Sequence, residues 1–209
     1  MRPITITRTL PAAVADGVCL AQQTTGPADL LLNGSLVVAG IAEIGSQRFI
    51  DITSAGNLAG INFTIEGSSD AGDQVLETIA GPNATTVTTV QNFATVTRIS
   101  VDAAVGSDVT VGTNATGASA IIPLDQYQTP FEVSMGVAIT GVTNVTLQYT
   151  FDDIFAEYPG PFTWIPHPDL TNVTATDEGT LISPVVACRL LTNSGVGTAV
   201  LRVAQAGLL

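Results

Sequence analysis

The chain has 209 residues, and its six basic residues, all of them arginine, stand against eighteen acidic residues, which gives a formal net charge of −12. This balance excludes a cationic surface for nucleic-acid phosphates and a polybasic patch for an anionic membrane, so neither is expected as a partner. Apolar residues make up 45% of the chain but aromatic residues only 5%, which predicts a core of Val, Ile, Leu and Ala.

The first 45 residues are predicted to form an extended N-terminal arm that ends in a hairpin. Apolar and polar residues alternate over residues 4–8, which predicts a short strand. Residues 12–23 are the best helix candidate in the chain, although Gly17 weakens it. Asn33-Gly34, between two apolar runs, is typical of a two-residue hairpin turn. The N-terminus lacks the continuous apolar stretch of a signal peptide, so folding in a cytoplasm is expected.

Residues 46–117 are predicted to form a first antiparallel domain, a β-sandwich or jelly-roll-like fold, because their strands are short and evenly spaced. Strict alternation through residues 61–67 places Ile61, Phe63 and Ile65 on the face that should be buried. The small polar stretch 112–119 predicts the boundary with the next domain.

Residues 118–209 are predicted to form a second β-sandwich domain of the same all-β style. An insertion at 156–169 interrupts it with prolines and the aromatic residues Tyr158, Phe162 and Trp164. Exposed aromatic residues often anchor protein interfaces. The alternative is that Phe162 and Trp164 fold back over an open end of the sandwich.

The sequence carries no motif for a catalytic nucleophile, a phosphate loop, a dinucleotide or zinc, so neither an enzyme nor a cofactor is expected. Two groups of residues invite a metal hypothesis. They are Asp152, Asp153 and Glu157 with the single histidine His167, and the segment 69–73. A solvated strand end explains the first group better, and a β-turn explains the second.

The two cysteines, Cys19 and Cys188, are far apart in sequence. In a reducing compartment the favoured interpretation is two unpaired, buried thiols. A disulfide would need the two Cα atoms within about 7 Å, which a sequence cannot show.

Short motifs follow one another along the chain in a distinctive order. In the first half they are AVADG (13–17), LNG (32–34), ITSAGN (52–57), FTIEG (63–67), ETIAGPN (77–83) and FATVTRI (93–99). In the second half they are YTFDD (149–153), Trp164, PVVACRL (184–190) and VLRVAQAG (200–207). This order resembles virion structural proteins of tailed bacteriophages over nearly the whole chain.

The resemblance implies a capsid decoration, or cement, protein that binds and stabilises the shell. A tail or head-fibre component, with host-surface carbohydrate binding, is the alternative. The implied partners are the major capsid protein and copies of the chain itself, as a homotrimer at local three-fold axes. The implied location is the capsid exterior, after synthesis in the host bacterial cytoplasm. The family carries no catalytic residues, so none are transferred.

Two segments are the predicted contact regions. In the arm, Ile4 and Ile6 are expected to pair by strand addition with a sheet edge of a neighbouring subunit or of the capsid. Arg2 and Arg8 are expected to add minor electrostatic contacts. In the insertion, the predicted contact residues are the three aromatic residues named above.

Overall fold

The structure, a computed structural model, describes residues 3–155 and 162–205. These residues form nineteen strands and contain no helix, so the predicted all-β class is confirmed. The strands are β1 (Ile4–Thr9), β2 (Cys19–Gln22), β3 (Ala28–Asp29), β4 (Val37–Val38), β5 (Ile41–Arg48), β6 (Ile50–Asn57), β7 (Asn62–Ser68), β8 (Gln74–Ala80), β9 (Asn83–Thr88), β10 (Phe93–Val101), β11 (Val109–Thr113), β12 (Gly117–Ala118), β13 (Ile122–Pro123), β14 (Val133–Thr140), β15 (Thr143–Thr150), β16 (Ile165–Pro166), β17 (Asp177–Leu181), β18 (Ala187–Gly195) and β19 (Thr198–Gln205).

The chain divides into two compact units. We call Ala13–Ala115 the continuous sandwich. We call the other unit, Met1–Ala12 with Thr116–Leu209, the split sandwich, because the continuous one is inserted into its sequence. The observed boundary falls inside the predicted boundary segment 112–119. The predicted separate arm differs, since residues 13–45 supply β2, β3, β4 and most of β5 to the continuous sandwich.

The continuous sandwich consists of two antiparallel sheets. One has the order β4-β5-β10-β7-β8, with β3 also paired to β10, and the other has the order β2-β11-β6-β9. Both contribute to one core, in which Ile50 and Ile52 of β6 are buried in the same cluster as Phe63 and Ile65 of β7. The alternation predicted for β7 is therefore confirmed at these two positions.

The split sandwich also consists of two antiparallel sheets. One has the order β1-β19-β14-β17, and the other has the order β12-β18-β15-β16, with β13 also paired to β18. Met135 of β14 and Leu201 of β19 are buried in one cluster with Leu147 of β15 and Leu190 of β18. Both sheets thus present alternate residues to a shared core, as in a sandwich. The jelly-roll detail stays a prediction.

The predicted N-terminal strand is present, but its partner is within the chain. β1 pairs antiparallel with β19 along its whole length, from Ile4 opposite Val203 to Thr9 opposite Thr198. Ile4 and Ile6 pack against the core of the split sandwich, and Arg8 is buried. The structure therefore differs from the expected pairing with another subunit, because these side chains complete the core of their own sandwich. Arg2 lies outside the described residues.

The helix predicted for residues 12–23 is wrong. The Val14 amide donates to Thr113 Oγ1 at 2.9 Å and the Val18 amide donates to the Val111 carbonyl at 3.0 Å, so the segment is tied to β11 instead. The predicted hairpin also differs. Asn33 accepts a bond from the Leu20 amide at 2.8 Å, and the turn lies between β4 and β5. Long-range pairing thus overrides the local propensity.

Each core contains one cysteine. Cys19 is buried in the continuous sandwich and Cys188 in the split sandwich, and both thiols are free, in agreement with the favoured interpretation. Burial raises the pKa of each thiol to about 12.

Candidate interaction surface

Three loops of the split sandwich meet at the end where β14 begins and β15 ends. The Leu124 amide, just after β13, donates to the Val186 carbonyl at 2.9 Å, and the Val186 amide donates to the Thr150 carbonyl at 2.9 Å. The Asp125 amide donates to Gln205 Oε1 at 2.9 Å, which ties the first loop to the end of β19. Hydrogen bonds of the backbone amides thus hold the loops together, so the exposed side chains of these loops are not needed to position them.

Large apolar side chains project into solvent from these loops. Tyr127 is 96% exposed, Phe155 78%, Ile182 77% and Phe151 56%. We call these four side chains the aromatic end. Clustered apolar exposure of this kind typically marks an interaction site.

Two of these aromatic residues are placed by the same local device. Asp125 Oδ1 accepts from the Tyr127 amide at 2.9 Å, and Asp153 Oδ1 accepts from the Phe155 amide at 2.9 Å. In both cases the aspartate carboxylate accepts a hydrogen bond from the amide two residues later, which forms an Asx-turn. The aromatic side chain at that third position is free to point outward. The Asp-x-aromatic spacing therefore fixes the backbone while leaving the ring exposed.

Next to this end, Trp164 stacks on an arginine. Arg189 lies on β18 between the buried Cys188 and Leu190, so it projects from the outer face of the sheet. Its Cζ lies 4.1 Å from the centre of the Trp164 ring, and its Nε donates to Gln148 Oε1 at 2.8 Å. A guanidinium over an indole face is the favourable cation–π arrangement.

Arg189 has no carboxylate partner within the described part of the chain. Arg98, by contrast, forms salt bridges with Asp29 and Glu66. Burial lowers the pKa of Arg189 to about 9, which leaves its side chain charged at neutral pH. Nη1 and Nη2 donate to no partner among the described residues, and neither atom is fully buried, so water reaches both. This leaves two oriented donors open at the surface.

The opposite end of the split sandwich exposes two smaller side chains. Val142 is 83% exposed in the β14–β15 turn, and Val196 is 60% exposed in the β18–β19 turn. The Gly197 amide donates to the Val142 carbonyl at 2.8 Å, and Gly195 has a φ of 91°, which a side chain would strain. These two turns offer a matched apolar surface without aromatic residues.

A groove of about 330 Å³ crosses the outer face of the other sheet of the split sandwich. Gly136 on β14 is its floor, in register with Glu178 on β17 and Arg202 on β19. An acidic and a basic side chain therefore flank a gap that exists because the central position has no side chain.

The residues of the first metal hypothesis have structural roles. His167 is fully buried, with Nε2 3.1 Å from the Thr180 carbonyl and Nδ1 accepting from the Asp169 amide at 3.2 Å. Asp152 accepts from the Thr163 amide. Glu157 lies outside the described residues.

The segment 69–73 closes a turn, in which Ser69 Oγ accepts from the amides of Ala71 and Asp73 at 3.2 Å each. Within residues 3–155 and 162–205, no three His, Cys, Asp or Glu side chains are grouped to hold a metal ion. Across the same residues, no helix capable of spanning a membrane occurs.

The predicted contact residues of the insertion are only partly visible. Phe162 and Trp164 are half-buried, with their rings edge to face at 6.4 Å, and Tyr158 lies outside the described residues. The exposed rings of Tyr127, Phe151 and Phe155 were not predicted from the sequence. The Asp-x-aromatic spacing was the available signal for two of them.

No protein-family model and no curated protein matches this chain.

Proposed function

We propose that the chain is a structural protein of a tailed-bacteriophage particle, which binds the assembled capsid from outside as a decoration protein. The observation that carries the proposal is the aromatic end, where four large apolar side chains are exposed on loops tied together by backbone hydrogen bonds. Rigidly held aromatic residues are the usual anchors of protein interfaces.

Charge and architecture add support. A formal charge of −12 disfavours unspecific attachment to the packaged nucleic acid. Each antiparallel sandwich has short turns, so a contact surface on it keeps its shape. The resemblance in motif order supplies the phage assignment, and assembly as a homotrimer with the major capsid protein as partner is part of the proposal.

The test compares two ends of the same sandwich. Purified protein is added to capsids that lack it, and bound protein is measured by sedimentation. We expect the variant Tyr127→Ser/Phe151→Ser/Phe155→Ser to bind about 100-fold more weakly, since loss of an interface anchor costs about 1–2 kcal/mol or more. The control Val142→Ser/Val196→Ser, at the opposite end, should bind like the wild type. Equal loss in both variants would contradict the proposed surface.

A second measurement tests the role itself. Because a ligand that binds only the assembled shell stabilises it by mass action, decorated capsids should withstand higher temperatures than bare ones. About molar salt should weaken attachment only modestly, because apolar burial is not screened. Particles that withstand heat equally well without the protein would favour the tail or host-binding alternative.

A further inference from the structure

Arg189 is a cation prepared for an anion that the described chain does not supply. It sits on a rigid inner strand, and both flanking residues of β18 are anchored in the core. The Trp164 ring covers one face of the guanidinium, with its centre 4.1 Å from Arg189 Cζ. On the same side chain, Arg189 Nε donates a hydrogen bond to Gln148 Oε1 at 2.8 Å. The side chain is therefore fixed in direction before any ligand arrives.

The remaining donors match one ligand chemistry. With Nε occupied, the two terminal nitrogens remain open to solvent. A guanidinium fork binds a carboxylate with good geometry, and a charge-assisted bond is stronger where water is partly excluded. Desolvation already acts on this group, as its lowered pKa shows. A bound carboxylate would therefore replace the hydrogen bonds and charge stabilisation that the guanidinium has lost from water.

We propose that Arg189, Trp164 and Gln148 form a binding site for a carboxylate of a partner protein, an aspartate or glutamate side chain flanked by apolar residues. The flanking preference follows from the adjacent Phe162 ring, which meets Trp164 edge to face. A sugar site would want several polar groups for hydroxyls, whereas here the Gln148 carbonyl oxygen is already bonded to Arg189. This inference stands on the geometry of Arg189 and needs no capsid.

The chain offers its own reporter, because Trp164 is its single tryptophan. The probe is an N-acetylated, C-amidated Phe-Glu-Phe peptide, and Phe-Gln-Phe is the neutral match. Both are titrated into the full-length protein while the indole N–H resonance and tryptophan fluorescence are followed. We expect the Glu peptide to bind about tenfold more tightly than the Gln peptide, the usual value of a hydrogen bond to a charged group.

Three variants decide the assignment. Arg189→Gln should abolish the preference for the Glu peptide, while Arg189→Lys should keep only part of it, because lysine lacks the fork and the planar stack. Arg98→Gln, which removes an arginine already paired with Asp29 and Glu66, should leave the preference unchanged. Thermal melting of each variant confirms that it is folded.

Other outcomes overturn the proposal. Equal affinity for the two peptides, or a preference that survives Arg189→Gln, removes the site. A preference that appears only in Glu157→Gln would mean that an internal carboxylate occupies Arg189. Saturable binding of glucuronate without binding of the Glu peptide would assign the site to acidic sugars instead.

Discussion

The two sandwiches each carry an arginine on the outer face of an inner strand, and the two side chains have opposite surroundings. Arg98 of β10 is exposed and bonded to Asp29 at 2.9 Å and to Glu66 at 3.0 Å, which raises its pKa. Arg189 of β18 is partly buried, stacked on an aromatic ring, and has a lowered pKa. The first cation is neutralised within its own sheet. The second is charged but has no carboxylate partner among the described residues, so in this acidic chain the surroundings of one arginine are more informative about binding than the net charge.

The same contrast extends to the whole sandwiches. The continuous one is built from a single stretch of chain, whereas the split one depends on a strand from the other end of the sequence. Each core holds one buried thiol, and alkylation of Cys19 or Cys188 therefore reports which sandwich has opened.

Deletion of residues 1–9 should have the largest effect. It removes β1 and the partly buried Ile4 and Ile6, so we expect the split sandwich to lose about 3 kcal/mol of stability or more. Cys188 should then react rapidly with a maleimide while Cys19 stays protected. Equal labelling of both thiols would show that the two units do not unfold separately.

Two glycine substitutions should have the opposite effect, in that they destabilise the continuous sandwich and not the split one. A Cβ at Gly67 would lie 1.9 Å from the Thr95 carbonyl oxygen, so Gly67→Ala should destabilise the continuous sandwich by about 2 kcal/mol. A Cβ at Gly136 would meet nothing within 4 Å, so Gly136→Ala should stabilise the split sandwich by about 0.5 kcal/mol. Denaturant titration with thiol labelling measures both. A similar loss in the two variants would contradict the difference in local space.

The thiols predict how stability changes at alkaline pH. Each folded thiol has a pKa of about 12 against a reference of 9.0, so its contribution is complete below pH 9 and is lost as the pH rises toward 12. At pH 10 the loss should be about 1 kcal/mol per thiol. Arg189, with a lowered pKa, acts in the opposite direction. Cys188→Ala is therefore compared with the wild type, and a variant with the same pH slope would refute the linkage.

The smallest effect is expected for Arg98→Gln. Exposed ion pairs contribute little and are screened by salt, so the variant should differ slightly from wild type at low ionic strength. In about 0.5 M NaCl, salt screens most of the attraction between exposed charges. The denaturation curves of Arg98→Gln and the wild type should therefore coincide. A difference that persists in high salt would mean that Arg98 acts through packing.

The sequence predicts the buried side chains correctly where a strand buries only one of its faces. The alternation of Phe63 and Ile65 correctly predicts which side chains enter the core. It failed for residues 12–23, where Val14 and Val18 bond to a strand almost a hundred residues later. Local propensity contains no information about such partners.

The candidate surface was only partly predictable for a related reason. Prolines and aromatic residues indicated the insertion, and Trp164 is indeed beside the aromatic end. The importance of Arg189 depends on what lies across the sheet, since Gln148 and Arg189 become neighbours only through the register of β15 and β18. That none of the described carboxylates pairs with Arg189 likewise appears only in three dimensions.

The pairing of β1 with β19 also sets an order of events during synthesis. Thr9 and Thr198, whose hydroxyls bond at 2.8 Å, are 189 residues apart, so β1 leaves the ribosome long before its partner β19. All strands of the continuous sandwich are synthesised before β19, so this unit can fold while β1 is still unpaired. Contacts between residues this distant in sequence also form slowly.

The geometry of this pair offers a shortcut. Ile4 lies opposite Val203, so the end of β19 is next to the beginning of β1. A circular permutant that carries residues 3–9 after residue 205, through a short turn, would convert the longest-range pairing of the fold into a hairpin. The nascent chain would then hold no unpaired β1 while the rest is translated.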